Sequence, residues 1–145
     1  MKDTSVSVKW TGKRQFIGTD SGNHSVVMSS HNGDNHTGVN PSEMLLLALG
    51  ACSAYDVVSI LEKKRYRLDG LDVFVKASQE DDPPWTFRRI LLEFRVKCRD
   101  LNEKDFRQAA ELSLEKYCSI AATVSGRADI SYSFEIIEDE YDPSD

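Results

Sequence analysis

Asn40-Pro-Ser-Glu-Met-Leu-Leu-Leu-Ala-Leu-Gly-Ala-Cys52-Ser-Ala-Tyr-Asp-Val-Val-Ser-Ile-Leu-Glu-Lys63 is the stretch on which the fold turns. Asn40 is a strong N-cap residue. Pro41 suits the first helical position, where its missing N–H has no intrahelical partner to lose. Glu43 in the first turn matches the positive end of the helix dipole, and Lys63-Lys-Arg-Tyr-Arg67 closes the helix where cations suit the negative end. From Met44 to Leu61 the apolar residues run almost all the way round rather than along one stripe. Such a helix must be covered on most sides, so it is central or shared with a partner subunit.

Working outward, residues 5–11 alternate, with Val6, Val8 and Trp10 on one face, as a half-buried strand does. Gly12-Lys-Arg14 makes a turn into a second strand over Gln15–Thr19, and Asp20-Ser-Gly-Asn23 signals a hairpin into a third over Ser25–Ser29. Residues 30–39 read as a polar loop. Beyond the long helix come strands over Leu71–Ala77 and Phe87–Cys98. On the second of these Ile90, Leu92, Phe94, Val96 and Cys98 share one face, which assigns Cys98 to the core as a small hydrophobe. Asn102 caps a helix reaching about Tyr117, with Leu101 and Phe106 able to staple its start. A shorter helix from Cys118 or Ser119 to Ser125 stops at Gly126, and Ala128 to Ile136 alternate in a last strand. This order predicts an α+β fold with an antiparallel sheet.

The 145 residues fit one domain, expected over 1–137, with an acidic tail over 138–145. A net charge of −6 argues against nucleic acid, which needs a basic surface. The run from Met44 to Leu49 reads as too short and interrupted to span a bilayer, and the N-terminus lacks a signal-peptide h-region, so the expected location is cytoplasmic with no membrane partner. There, three cysteines without a Cys-x-x-Cys spacing form neither a disulfide framework nor a zinc site. His24, His31 and His36 have no metal-ligand spacing either. No metal and no cofactor is expected.

Two cysteines carry the chemistry. Cys118 at the start of a short helix would gain from the dipole, which lowers a thiol pKa. Cys52 is more than two turns into its helix among apolar neighbours, which raises it, and Asp56, about 40° round the helix, adds to that if charged. A reactive Cys52 therefore needs a cation from elsewhere. Arg14 in the first hairpin turn is the leading candidate and Arg127 the reserve; without one, Cys52 is a buried structural thiol.

Asn40-Pro41, followed twelve residues on from the Asn by the helical Cys52, and Cys118 within Tyr117-Cys-Ser-Ile-Ala, resemble the osmotically inducible protein C / organic hydroperoxide resistance (OsmC/Ohr) family over about residues 4–137. The resemblance implies an intertwined homodimer whose sheets wrap two central helices. It also implies Cys52 as the peroxidatic thiol, Cys118 as the resolving one, and Arg14 as the arginine that holds the thiolate. The implied reaction reduces small organic hydroperoxides or hydrogen peroxide and leaves a Cys52–Cys118 disulfide, which an external dithiol reopens. Two positions depart from the hydroperoxide enzymes. Ser42, not glutamate, follows Asn40-Pro41, so Glu43 is the acid brought into the candidate site, although on a straight helix it points about 180° from Cys52. Ser119, not proline, follows Cys118. Both departures resemble the OsmC-like branch, for which the other reading is a non-catalytic ligand-binding or redox-sensing protein.

Overall fold

The structure, a computed structural model, describes residues 1–31, 33 and 35–138. Of the expected acidic tail, everything from position 139 lies outside the described residues. Two compact units divide the chain, Met1–Leu45 and Leu46–Asp145.

In the first unit β1 (Ser7–Gly12), β2 (Gln15–Thr19) and β3 (Ser25–Ser29) form an antiparallel sheet in that order. Gly12 at φ 114° and Lys13 at φ 50° make the tight β1–β2 turn that carries Arg14. The left-handed backbone at Gly12 is one that a residue without Cβ adopts at little cost. Ser29 is buried and accepts from the Thr37 and Gly38 N–H groups at 3.1 and 2.8 Å, which ties the polar loop back onto β3. Gly38 is required there, because a Cβ would stand 2.5 Å from the Val27 carbonyl oxygen.

The unit ends with the first turn of α1 (Pro41–Lys63), and the expected cap is in place. Asn40 Oδ1 accepts from the Ser42 N–H at 2.9 Å, and the Asn40 carbonyl from the Met44 N–H at 2.9 Å. By length and composition alone the 23-residue helix is long and apolar enough to cross a bilayer. The reading of Met44–Leu49 as too short counted only the uninterrupted run. Here the helix serves as a core element, with Leu49, Gly50, Ser53, Val57 and Leu61 buried at near-regular spacing.

In the second unit α1 continues and is followed by β4 (Leu68–Gln79), β5 (Phe87–Cys98), α2 (Glu103–Leu112), a π-helical turn (Ser113–Tyr117), α3 (Ser119–Val124) and β6 (Asp129–Ile137). The sheet order is β4-β5-β6. The α+β class holds, and β4–β5 is antiparallel as expected. β6, however, runs parallel to β5 from Arg89↔Asp129 to Lys97↔Ile137. Its connection is the helical crossover α2–α3 rather than a hairpin, and a crossover is what a parallel pair needs. Ile90, Leu92, Phe94, Val96 and Cys98 all face the core, as their alternation predicts. Phe106, capped in by Asn102, meets Phe94 edge-on at 5.5 Å between centroids and Phe134 at 4.8 Å. The buried rings of Phe94 and Phe106 each contribute roughly 1.5–3 kcal/mol through burial alone. At Gly50 a Cβ would lie 3.0 Å from Val75 Cγ2, so the glycine is what lets α1 sit this close to β4.

Candidate functional site

All three cysteines carry free thiols. Cys52, in the middle of α1, is half-buried, and Cys118, between the π-turn and α3, is 1% exposed. Helix α1 and the π-turn make these two neighbours, with the Cys52 sulfur close enough to act on the Cys118 thiol. Burial pushes the Cys118 thiol up to about 11, and the Cys52 sulfur beside it pushes the same way, while the Ala121 N–H that Cys118 Sγ accepts at 3.3 Å opposes them. The dipole expectation for Cys118 is thus overturned. Its helix has only six residues, and desolvation of a sulfur in the core outweighs the N–H groups of Ala121 and Ile120.

A second feature of this region, absent from the sequence reading, is a buried polar bridge. The Ser113 hydroxyl hydrogen-bonds Asp56 Oδ2 at 2.9 Å and lies 3.1 Å from Ser53 Oγ. Ser53 and Ser113 are both fully buried. The Ser113 carbonyl in turn accepts the Cys118 N–H at 2.8 Å, the bond that closes the π-turn. A signal for this existed: Ser53 falls in the four-spaced series Leu49, Ser53, Val57, Leu61, and Ser113 follows Phe106, Ala109 and Ala110 on one helical face. A polar residue in such a series is buried and must find a partner. A cleft of about 520 Å³ lined by Tyr55, Asp56, Ser59, Leu112 and Tyr117, among others, reaches Asp56 from outside.

The other two expected site residues belong to the first unit. Arg14 is exposed in the β1–β2 turn, and its guanidinium donates to the Lys13 carbonyl at 3.5 Å. Glu43 is exposed in the first turn of α1, with its carboxylate 3.5 Å from His31 Nε2. Among the described residues no ion pair joins Glu43 to Arg14. In the second unit Arg127 is exposed after α3, and its carbonyl accepts from Arg88 at 3.2 Å. Cys98, by contrast, donates its S–H to the Arg67 carbonyl at 3.3 Å, on a strand rather than beside another sulfur. Among the described residues no group of three or more His, Cys, Asp and Glu could hold a metal ion.

The fold that places these side chains is shared with known proteins. The chain belongs to the OsmC-like protein family, whose sequence model matches residues 32–133. It is 37% identical to Protein YhfA of Escherichia coli (strain K12) over 130 residues, covering 90% of this chain and 96% of that protein. Among solved structures it is similar to a hypothetical protein from Aquifex aeolicus VF5, with a TM-score of 0.86, 28% identity and coverage of 97% and 100% of the two chains. It shares the fold of the organic hydroperoxide resistance protein OhrB of Bacillus subtilis, with a TM-score of 0.63, 16% identity and coverage of 92% and 98%.

Proposed function

We propose that the chain is a thiol-dependent peroxidase that reduces organic hydroperoxides, or hydrogen peroxide, in the oxidative-stress defence of the cytoplasm. The observation that carries this reading is a half-buried Cys52 neighbouring a buried Cys118 and acting on its thiol. In the proposed cycle the Cys52 thiolate attacks the peroxide, one oxygen is transferred to sulfur, and the alkoxide leaves and takes a proton as the alcohol. The Cys118 thiol then condenses with the Cys52 sulfenic acid, releasing water and forming the disulfide before further oxidation can occur. An external dithiol restores both thiols by exchange. Arg14 is assigned to the thiolate and to the charge that moves during attack, and Glu43 is kept as the candidate acid without the role of clamping that arginine. No bound cofactor is needed for any of these steps.

A homodimer belongs to the proposal. Val8 and Trp10 on β1 are 64% and 65% exposed, and on α1 Leu47 and Tyr55 are 55% and 74% exposed. Apolar surface of this extent on a helix expected to be covered all round favours a second copy as the cover. Membership of a family that includes hydroperoxide resistance proteins supports the same role.

The test is to treat the fully reduced protein with cumene hydroperoxide and follow peroxide, free thiols and intact mass. Loss of two hydrogens and of two thiols, abolished by Cys52→Ser and by Cys118→Ser, is the expected result. Unconsumed peroxide with every thiol still free would sink the peroxidase and leave an OsmC-like ligand-binding or redox-sensing protein.

A further inference from the structure

We infer that Ser113 is a positioning residue that holds the Cys118 turn on the helix bearing Cys52 and so sets how readily the two sulfurs join. This deepens the peroxidase reading above and rests on it for its purpose, though not for its test. Ser113 grips both sides of the sulfur pair. Its hydroxyl binds Asp56 Oδ2 at 2.9 Å and Ser53 Oγ at 3.1 Å, one turn beyond Cys52 and next to it along α1. Its carbonyl takes the Cys118 N–H at 2.8 Å across the π-turn. Among the described residues, the side-chain hydrogen bonds that join α1 to residues 113–118 all come from the Ser113 hydroxyl.

Core stability gives no reason for this arrangement. Burying two hydroxyls and part of a carboxylate within an apolar series is costly unless every group is satisfied, and apolar side chains of the same shape would hold the helices as well or better. What the hydrogen bonds add is direction. They fix the rotation of the π-turn relative to α1, and π-helical insertions of this kind are frequent at functional sites. In the condensation step an S–S bond forms between Cys52 and Cys118. The S–O bond of the sulfenic acid and the S–H bond of Cys118 break, and hydroxyl and proton leave as water. The sulfenic sulfur is reduced and the thiol sulfur oxidised. Such a step gains from sulfurs already held in line, because their encounter no longer costs orientational entropy.

The closing experiment needs no peroxide. Wild-type protein and variants are equilibrated in oxidised and reduced dithiothreitol mixtures, and the Cys52–Cys118 disulfide is quantified by acid quench, alkylation and intact mass. Ser113→Ala is expected to shift the equilibrium about tenfold toward the dithiol, about 30 mV for a two-electron couple. Ser113→Thr, which restores a hydroxyl, is expected to return it to the wild-type position. Asp56→Ala is expected to shift it in the same direction as Ser113→Ala, and serves should Ser113→Ala fail to fold. Cys98→Ser, buried elsewhere, is expected to lower thermal stability without moving the equilibrium. An unshifted Ser113→Ala, a shift matched by Cys98→Ser, or a wild type that forms no disulfide even in excess oxidised dithiothreitol would overturn the inference. A normal disulfide equilibrium in a protein that consumes no peroxide would refute the peroxidase and leave the role of Ser113 intact.

Discussion

Two regions of the second unit each bury a cysteine sulfur, Cys98 at the end of β5 and Cys118 at the start of α3, with exposures of 0% and 1%. Both thiols have their pKa raised, burial being the first cause in each. Around Cys98 the remaining neighbours are backbone carbonyls, from Arg67 at 3.3 Å and Arg99 at 3.6 Å, with Asp69 and Asp100 adding negative charge. Around Cys118 the neighbour is the sulfur of Cys52. Burial by itself therefore does not separate a structural thiol from a working one. In the proposed cycle it is the second sulfur that sets Cys118 apart.

The sharpest way to break this contrast is Cys52→Ser, which should lower peroxide consumption by roughly a thousandfold or more, because the nucleophile itself is gone. Stopped-flow peroxide decay measures it, and turnover surviving in that variant would move the chemistry elsewhere. Cys118→Ser should still consume about one equivalent of peroxide but fail to turn over, leaving a Cys52 sulfenic acid that dimedone captures.

The pH dependence of stability comes next. A thiol whose folded-state pKa is raised stabilises the fold fully below its unfolded value, and that stability is lost as pH climbs through the folded value. For Cys118 the window runs from 9.0 to about 11. The unfolding free energy from urea titrations should fall across it by up to about 1–3 kcal/mol, and Cys118→Ser should flatten part of the fall. Cys98, Tyr66 and Tyr132, also raised, supply the remainder. Smallest of all, Cys98→Ser should leave turnover unchanged and cost about 1 kcal/mol in thermal or urea unfolding, since the new hydroxyl inherits a carbonyl partner but sits in an apolar face. Turnover that depended on Cys98 would erase the distinction between the two thiols.

Much of this fold was legible wherever local chemistry and tertiary placement agree. Asn40-Pro41 announces α1 because capping is decided within one turn, and the alternation from Ile90 to Cys98 announces a buried strand face because the pleat has a period of two. The parallel pairing of β6 was not legible, since neither strand's sequence states which edge it will join. Nor was the π-turn, because Ser113-Leu-Glu-Lys-Tyr117 has ordinary helix-forming composition and widens only through what its ends bind. The thiol pair was reached by resemblance, as sixty-six positions separate Cys52 from Cys118 in the chain. The serine bridge left a trace in the apolar series on both helices, but neither series states which buried partner its serine meets.

The widened turn also works as a phase shifter. Five residues wound as a π-helix carry the chain around by less than the same five would in ordinary α winding, and each α-helical residue turns about 100°. Rewinding the same five residues as regular α-helix would swing the sulfur at its end to a different bearing, with every side chain of the pair unchanged. The winding of this short segment, held at its start by Ser113, thus aims one of two cysteines that lie far apart along the chain.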